Sequence, residues 1–159
     1  MFKNNPQLSA AMLAAFKTAL DGGFIHIFSG PEPAGVNDAL DLVGTHTRLC
    51  TLSKAAGAEG LTLMAPNGGT ISKPAGDTWS GMIAFEGADA GGGPLEPTFF
   101  RFCQDGDNGS DVGTGPRMQG SAGGPASAAD MKLGNDTLTD DGVSTASVVI
   151  FNYRIGFLG

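Results

Sequence analysis

The stretch RMQGSAGGPASAADMKLGNDTL, from Arg117 to Leu138, decides how the rest of the chain is read. Its first half is too rich in Gly, Ala and Ser to sustain a helix, because glycine costs about 1 kcal/mol relative to alanine at each helical position. It ends in Ala129-Asp130-Met131-Lys132-Leu133, an alternation that puts Met131 and Leu133 on one face of a short strand. A loop of small residues from Gly120 to Ala129 leading into so short a strand is what a two-sheet protein uses to cross between sheets. Small side chains let its backbone pass close to a neighbour. The stretch therefore points to an antiparallel β-sandwich of jelly-roll type.

Reading outward, the same punctuation recurs. "GFIHIFSG" (23–30), "HTRLCTL" (46–52), "GLTLMAP" (60–66), "GTISKP" (69–74), "DTWSGMIAFEG" (77–87) and "TFFRFCQDG" (98–106) are short apolar runs bounded by Gly, Asn, Asp or Pro. The last run, "VSTASVVIFNYRIGFL" (143–158), places Val149, Phe151, Tyr153, Ile155 and Phe157 on one face, while Val148 and Ile150 make its first half apolar on both. Only the start differs. From Pro6 to Leu20, Leu8, Met12, Phe16 and Leu20 recur every four residues and Leu13 widens the stripe, with Gly22 and Gly23 as the stop. Short strands at roughly ten-residue spacing behind a single helix fit an antiparallel β-sandwich or barrel. The sandwich is the expected architecture, mainly β and one domain over residues 1–159, with a helix over 6–21 and the β-sandwich over 23–159.

Composition agrees with a turn-rich, folded β-domain. Of 159 residues, 26 are Gly and 9 Pro, while 41% are hydrophobic, too many for disorder. Charged residues are only 16%, which points to a surface partly covered by neighbours. The net charge is −7, and the nine Lys and Arg are spread singly along the chain. That pattern argues against nucleic-acid binding and against a polybasic membrane anchor. The amino terminus shows no continuous apolar core of signal-peptide type, and no run reaches transmembrane length. Cys50 and Cys103 are therefore expected as reduced, buried thiols unless the fold brings them together.

Catalytic motifs fail one by one. There is no Gly-Lys-Ser or Gly-Lys-Thr phosphate loop, no dinucleotide fingerprint and no Gly-x-Ser-x-Gly elbow. His26, His46, Cys50 and Cys103 could form a nucleophile pair only through the fold, and His26, alternating with Phe24 and Phe28, reads as a packed histidine. His46 and Cys50 are the only zinc-type ligands at close spacing. "QDGDNGSD" (104–111) offers Asp105, Asp107, Asn108 and Asp111 as calcium oxygens. Aligned as an EF-hand, however, it puts Gly109 at a ligand position and Pro116 where the bidentate glutamate belongs, so a hairpin turn is the better reading. Glu86, Asp89 and Glu96 could pair as acid and base, but sequence does not give their separation. No enzyme and no cofactor is expected.

The order of features resembles a widespread group of small tailed-bacteriophage and prophage virion proteins. Its elements are "IHIFSGPEPAG" (25–35), "GDTWSG" (76–81), the arginine-bearing aromatic strand "FFRF" (99–102), "GSAGGPASAADMKL" (120–133) and "NDTLTDDGVSTAS" (135–147). They run in order over nearly the whole chain, with "DAGGGPLEP" (89–97) and a longer acidic turn as departures from the pattern. The resemblance implies a virion structural protein, assembled in the host cytoplasm, with other virion proteins as partners. Capsid decoration on the major capsid protein is the leading expectation, and a tail or baseplate accessory role beside tail proteins the next. A carbohydrate- or receptor-binding module would use Trp79 with Asp77 and Glu86, although a core tryptophan suits the residues after it better. A symmetric homo-oligomer or a partner-completed monomer is expected, with Leu8, Met12, Phe16 and Leu20 of the helix and Val148, Ile150 and Phe151 of the last strand at the contacts.

Overall fold

The structure is a computed structural model that describes residues 6–55, 59–67, 69–150 and 152–154. The helix α1 (Pro6–Leu20) comes first. It is followed by β1 (Phe24–Ser29), β2 (Thr47–Lys54), β3 (Thr70–Ser72), β4 (Trp79–Gly87), β5 (Phe99–Cys103), β6 (Arg117–Gly123), β7 (Met131–Leu133), β8 (Thr145–Ile150) and β9 (Asn152–Arg154). The helix stops one residue earlier than its expected end, where Asp21 and Gly22 form the turn into β1. Lys17 Nζ donates to Asp21 Oδ2 at 2.5 Å and to the Leu63 carbonyl at 2.6 Å, tying that end to the segment before β3.

The sandwich expectation is wrong. Seven strands close into a barrel in the order β1-β2-β4-β8-β7-β6-β5, and β5 returns to pair with β1, while β3 and β9 form a separate two-stranded ribbon. Closure has local causes. The ladders shift register between Ile27 and Phe28 and between Arg48 and Cys50, and such interruptions sharpen the coil of a sheet. At Gly81 of β4 an added Cβ would lie 2.0 Å from the Thr51 carbonyl oxygen, so only glycine allows β2 and β4 to approach at that bend.

The stretch that motivated the sandwich supplies the correction. Arg117–Gly123 is a strand, not a loop, paired antiparallel with β5 from Phe99↔Ser121 to Cys103↔Arg117. The tight segment 124–130 then returns the chain so that β7 runs parallel to β6, matched at Ala122↔Met131 and Gly123↔Lys132. Asp130 Oδ2 accepts from Ser121 N at 3.0 Å and from Ser121 Oγ at 2.7 Å, which locks that return. This one parallel step carries the sheet round to β8. Residues 60–66, expected as a strand, lie outside the strands, although Leu61 and Leu63 are buried. The long final run is divided into β8 and β9, and Phe151 between them lies outside the described residues.

The barrel is filled, not hollow. Ile25, Ile27, Leu49, Leu52, Ile83, Phe85, Phe100, Phe102, Met131, Leu133 and Val148 point inward and pack with Trp79, whose ring meets that of Phe102 edge-on at 6.2 Å. Leu13 and Leu20 of α1 join the same core with Leu61, Leu63 and Ile71. The helix therefore closes the end of the barrel at which β1 begins.

Candidate functional site

Two stretches of the barrel's outer surface differ in kind. On β1 and β5 the outward row is Phe28, His26, Phe99, Arg101 and Cys103, all buried, with Phe24 half-buried at its end. Two loops cover it. Residues 30–46 descend from one end of the barrel and 104–116 climb from the other. They meet over the middle, where Leu40 N donates to the Ser110 carbonyl at 2.7 Å and Gly113 N to the Asn37 carbonyl at 3.0 Å. Phe28 and Phe99 stack at 5.1 Å beneath Leu40 and Leu42, and His46 meets Phe99 edge-on at 6.0 Å.

Arg101 is the centre of this layer and is 0% exposed. Its Nη1 donates to the carbonyls of Asp38 and Gly109, both at 2.8 Å, and its Nη2 to that of Gly35 at 3.3 Å. Nε donates to Gln119 Oε1 at 2.9 Å. Gln119 Nε2 in turn donates to the Pro33 carbonyl at 2.9 Å and to Glu32 Oε1 at 3.1 Å. Burial, then the neighbouring Arg117 guanidinium, pulls the Arg101 pKa below the ordinary arginine value. Backbone carbonyls from both loops, not a carboxylate, satisfy the cation.

The loop 104–116 is held by its backbone, carbonyl after carbonyl. The oxygen of Asp107 accepts from His26 Nε2 at 3.0 Å, that of Asn108 from Arg48 Nη1 at 3.2 Å, that of Gly109 from Arg101 and that of Ser110 from Leu40. Arg117 adds a forked ion pair to Asp107, Nε to Oδ2 at 2.6 Å and Nη2 to Oδ1 at 2.5 Å, holding that carboxyl below the usual range and raising its own pKa. A carbonyl only accepts, so His26 carries its proton on Nε2 and Nδ1 receives the Thr51 hydroxyl at 3.0 Å.

These contacts absorb the residues singled out as catalytic or metal-binding candidates. Cys50 belongs to the core and Cys103 to the opposite face of its strand, so the two free thiols stand on either side of the barrel wall and do not meet. Burial pushes each up to about 12, which keeps both protonated at neutral pH. His46 sits outside the core and bonds the Pro31 carbonyl at 2.9 Å. In the acidic turn, Asn108 Oδ1 caps Ser110 N and Asp111 N, and Asn108 Nδ2 donates to Asp111 Oδ2. Among the described residues no group of three or more His, Cys, Asp or Glu is placed to hold a metal ion. A cleft of about 260 Å³ lies beside this turn, lined by Gln104, Asp105, Val112, Thr114 and Arg117 among others. Glu86 is taken up by an ion pair with Arg48.

On β4 and β8 the outward row is Ser80, which is buried, followed by Met82, Ala84, Glu86, Thr145, Ser147 and Val149, with Met82 facing Thr145 across the ladder. Met82 is 58% and Val149 57% exposed. This row is uncharged except at Glu86, on the rim. Local sequence does not mark it, because Met82 stands in one apolar run with Ile83 and Phe85 after Trp79.

The expected contact residues divide accordingly. Leu8 and Met12 are exposed on α1, whereas Leu20 is in the core and Phe16 packs against it. Val148 points into the barrel at 7% exposure, and Ile150 pairs with Lys132 along the backbone. Trp79 is 0% exposed and offers no platform for a sugar. Comparison with protein-family models, with curated proteins and with solved structures finds no match to this chain.

Proposed function

We propose that this chain is a non-enzymatic bacteriophage virion structural protein whose β4–β8 wall is a contact face, with decoration of the head lattice as its role. The observation that carries the reading is the pairing of that open, uncharged wall with a covered wall whose polar groups are spent on internal bonds. A chain of net charge −7 meets other acidic copies with least repulsion across uncharged surface. Every barrel strand is already paired on both sides, so a partner engages the barrel through side-chain faces rather than by adding a strand to it. Met82, Ala84, Thr145, Ser147 and Val149 supply such a face, and the exposed Leu8 and Met12 of α1 a second one.

The order of sequence elements, which resembles that of small phage virion proteins, supports the class. The partner is then the major capsid protein or further copies of this chain. Counting copies in purified particles by quantitative mass spectrometry tests the reading. Hundreds per virion are expected for head decoration, and a few dozen or fewer assign the chain to the tail or baseplate. Absence from purified particles refutes the class altogether.

A further inference from the structure

We infer that the clasp over β1 and β5 is an acid-sensitive latch, in which the segment 104–116 detaches from the barrel as the medium falls from neutral toward pH 5 because the histidine beneath it takes up a proton. The inference concerns the folded chain alone and does not depend on the virion reading.

The geometry gives His26 no comfortable charged state. Gly109, at φ +73°, lies so close over the ring that an added Cβ would stand 2.6 Å from its Cδ2, so the loop backbone seals the imidazole from water. Both ring nitrogens are already committed in the neutral form, Nε2 to the Asp107 carbonyl and Nδ1 to the Thr51 hydroxyl. A second proton on Nδ1 would force that hydroxyl to turn and accept. Every element packed against the ring contributes groups. β2 brings Arg48 with Thr51, β5 brings Arg101 as the lateral partner of His26 in register, β6 brings Arg117, and the loop brings Asp107 and Asn108. On β1 itself the nearest ring is Phe28, 6.4 Å away. These three guanidinium groups face two carboxylates, and both are already ion-paired, Glu86 with Arg48 and Asp107 through both oxygens with Arg117.

The sign follows by linkage. Burial first, with Arg48 and Arg117 adding to it against the opposing pull of Asp107, lowers the His26 pKa from 6.5 to about 4 in the closed form. Once the loop lifts, the ring returns to its ordinary value, so the open form binds the proton first. The closed form is fully favoured above pH 6.5 and loses ground as pH falls toward 4. Between pH 7 and pH 5 the opening constant should rise roughly twentyfold. That window lies above the range in which ordinary carboxylates titrate.

Amide hydrogen exchange of the full chain at pH 7 and pH 5, corrected for intrinsic exchange rates, reads this directly. The wild-type protein should show the roughly twentyfold increase in opening for peptides spanning 104–117, with β4 and β8 unchanged. His26→Gln, which keeps a donor for the Asp107 carbonyl but cannot titrate, should abolish the increase. Equal opening of the wild type at both pH values overturns the latch, as does a rise that persists in His26→Gln. If the variant does not fold, an NMR titration of the unmodified protein decides alone. A His26 ring that protonates near 4 supports the latch, and one that protonates near 6.5 with the loop still closed overturns it.

Discussion

The β1–β5 wall and the β4–β8 wall come from the same period-two alternation, yet one is sealed by the chain's own loops and the other is left open. The difference lies in what stands on the outward row. Phe28, Phe99, Arg101 and His26 are large, aromatic or charged, and they are matched by two long loops rich in backbone acceptors. Met82, Ala84, Thr145, Ser147 and Val149 are small or uncharged, and Met82 and Val149 stand more than half exposed. Alternation therefore distinguishes the inside of a barrel from the outside, but it does not say whether the outside meets water. The size and charge of the outward residues, read with the length of the adjacent loops, carry that second piece of information.

The comparison is most easily broken at Arg101. Arg101→Met leaves the carbonyls of Gly35, Asp38 and Gly109 and the Gln119 amide oxygen buried without their donor, and should cost about 4 kcal/mol in urea denaturation. A loss below about 1 kcal/mol would mean that the two loops hold themselves in place. Phe99→Ala removes a fully buried ring stacked on Phe28 and should cost about 3 kcal/mol by the same assay. The smallest effect belongs to the open wall, where Met82→Ser or Val149→Ser should change stability by no more than about 0.5 kcal/mol. Comparable losses at Met82 and Phe99 would erase the distinction between the walls.

How far the sequence could be read depended on how local each feature is. The helix was legible because Leu13, Phe16 and Leu20 sit at helical spacing, although its partly exposed members, Leu8 and Met12, look identical to the buried ones in a periodicity count. Strands such as Phe99–Cys103 and Trp79–Gly87 were legible from β-branched and aromatic runs between turn residues. The barrel was not, because inward alternation is the same in a sandwich and a barrel, and closure depends on register shifts at Phe28 and Arg48 and on β5 returning to β1. Arg117–Gly123 was missed because its Gly, Ser and Ala have low strand propensity, and pairing with the aromatic β5 overrides it. Arg101 stood out in the run Phe-Phe-Arg-Phe, but two of its carbonyl partners are 63 and 66 residues away, on a loop that no local pattern connects to it.

Hydroxyl-radical footprinting of the chain, free and then in the virion particles proposed for it, tests the division of the two walls most directly. Met82 should be oxidised readily in the free protein and protected after assembly, while Phe28 and Phe99 stay protected in both states. Ready oxidation of Phe28 and Phe99 in the free protein, or a Met82 equally reactive in the particle, would contradict the account.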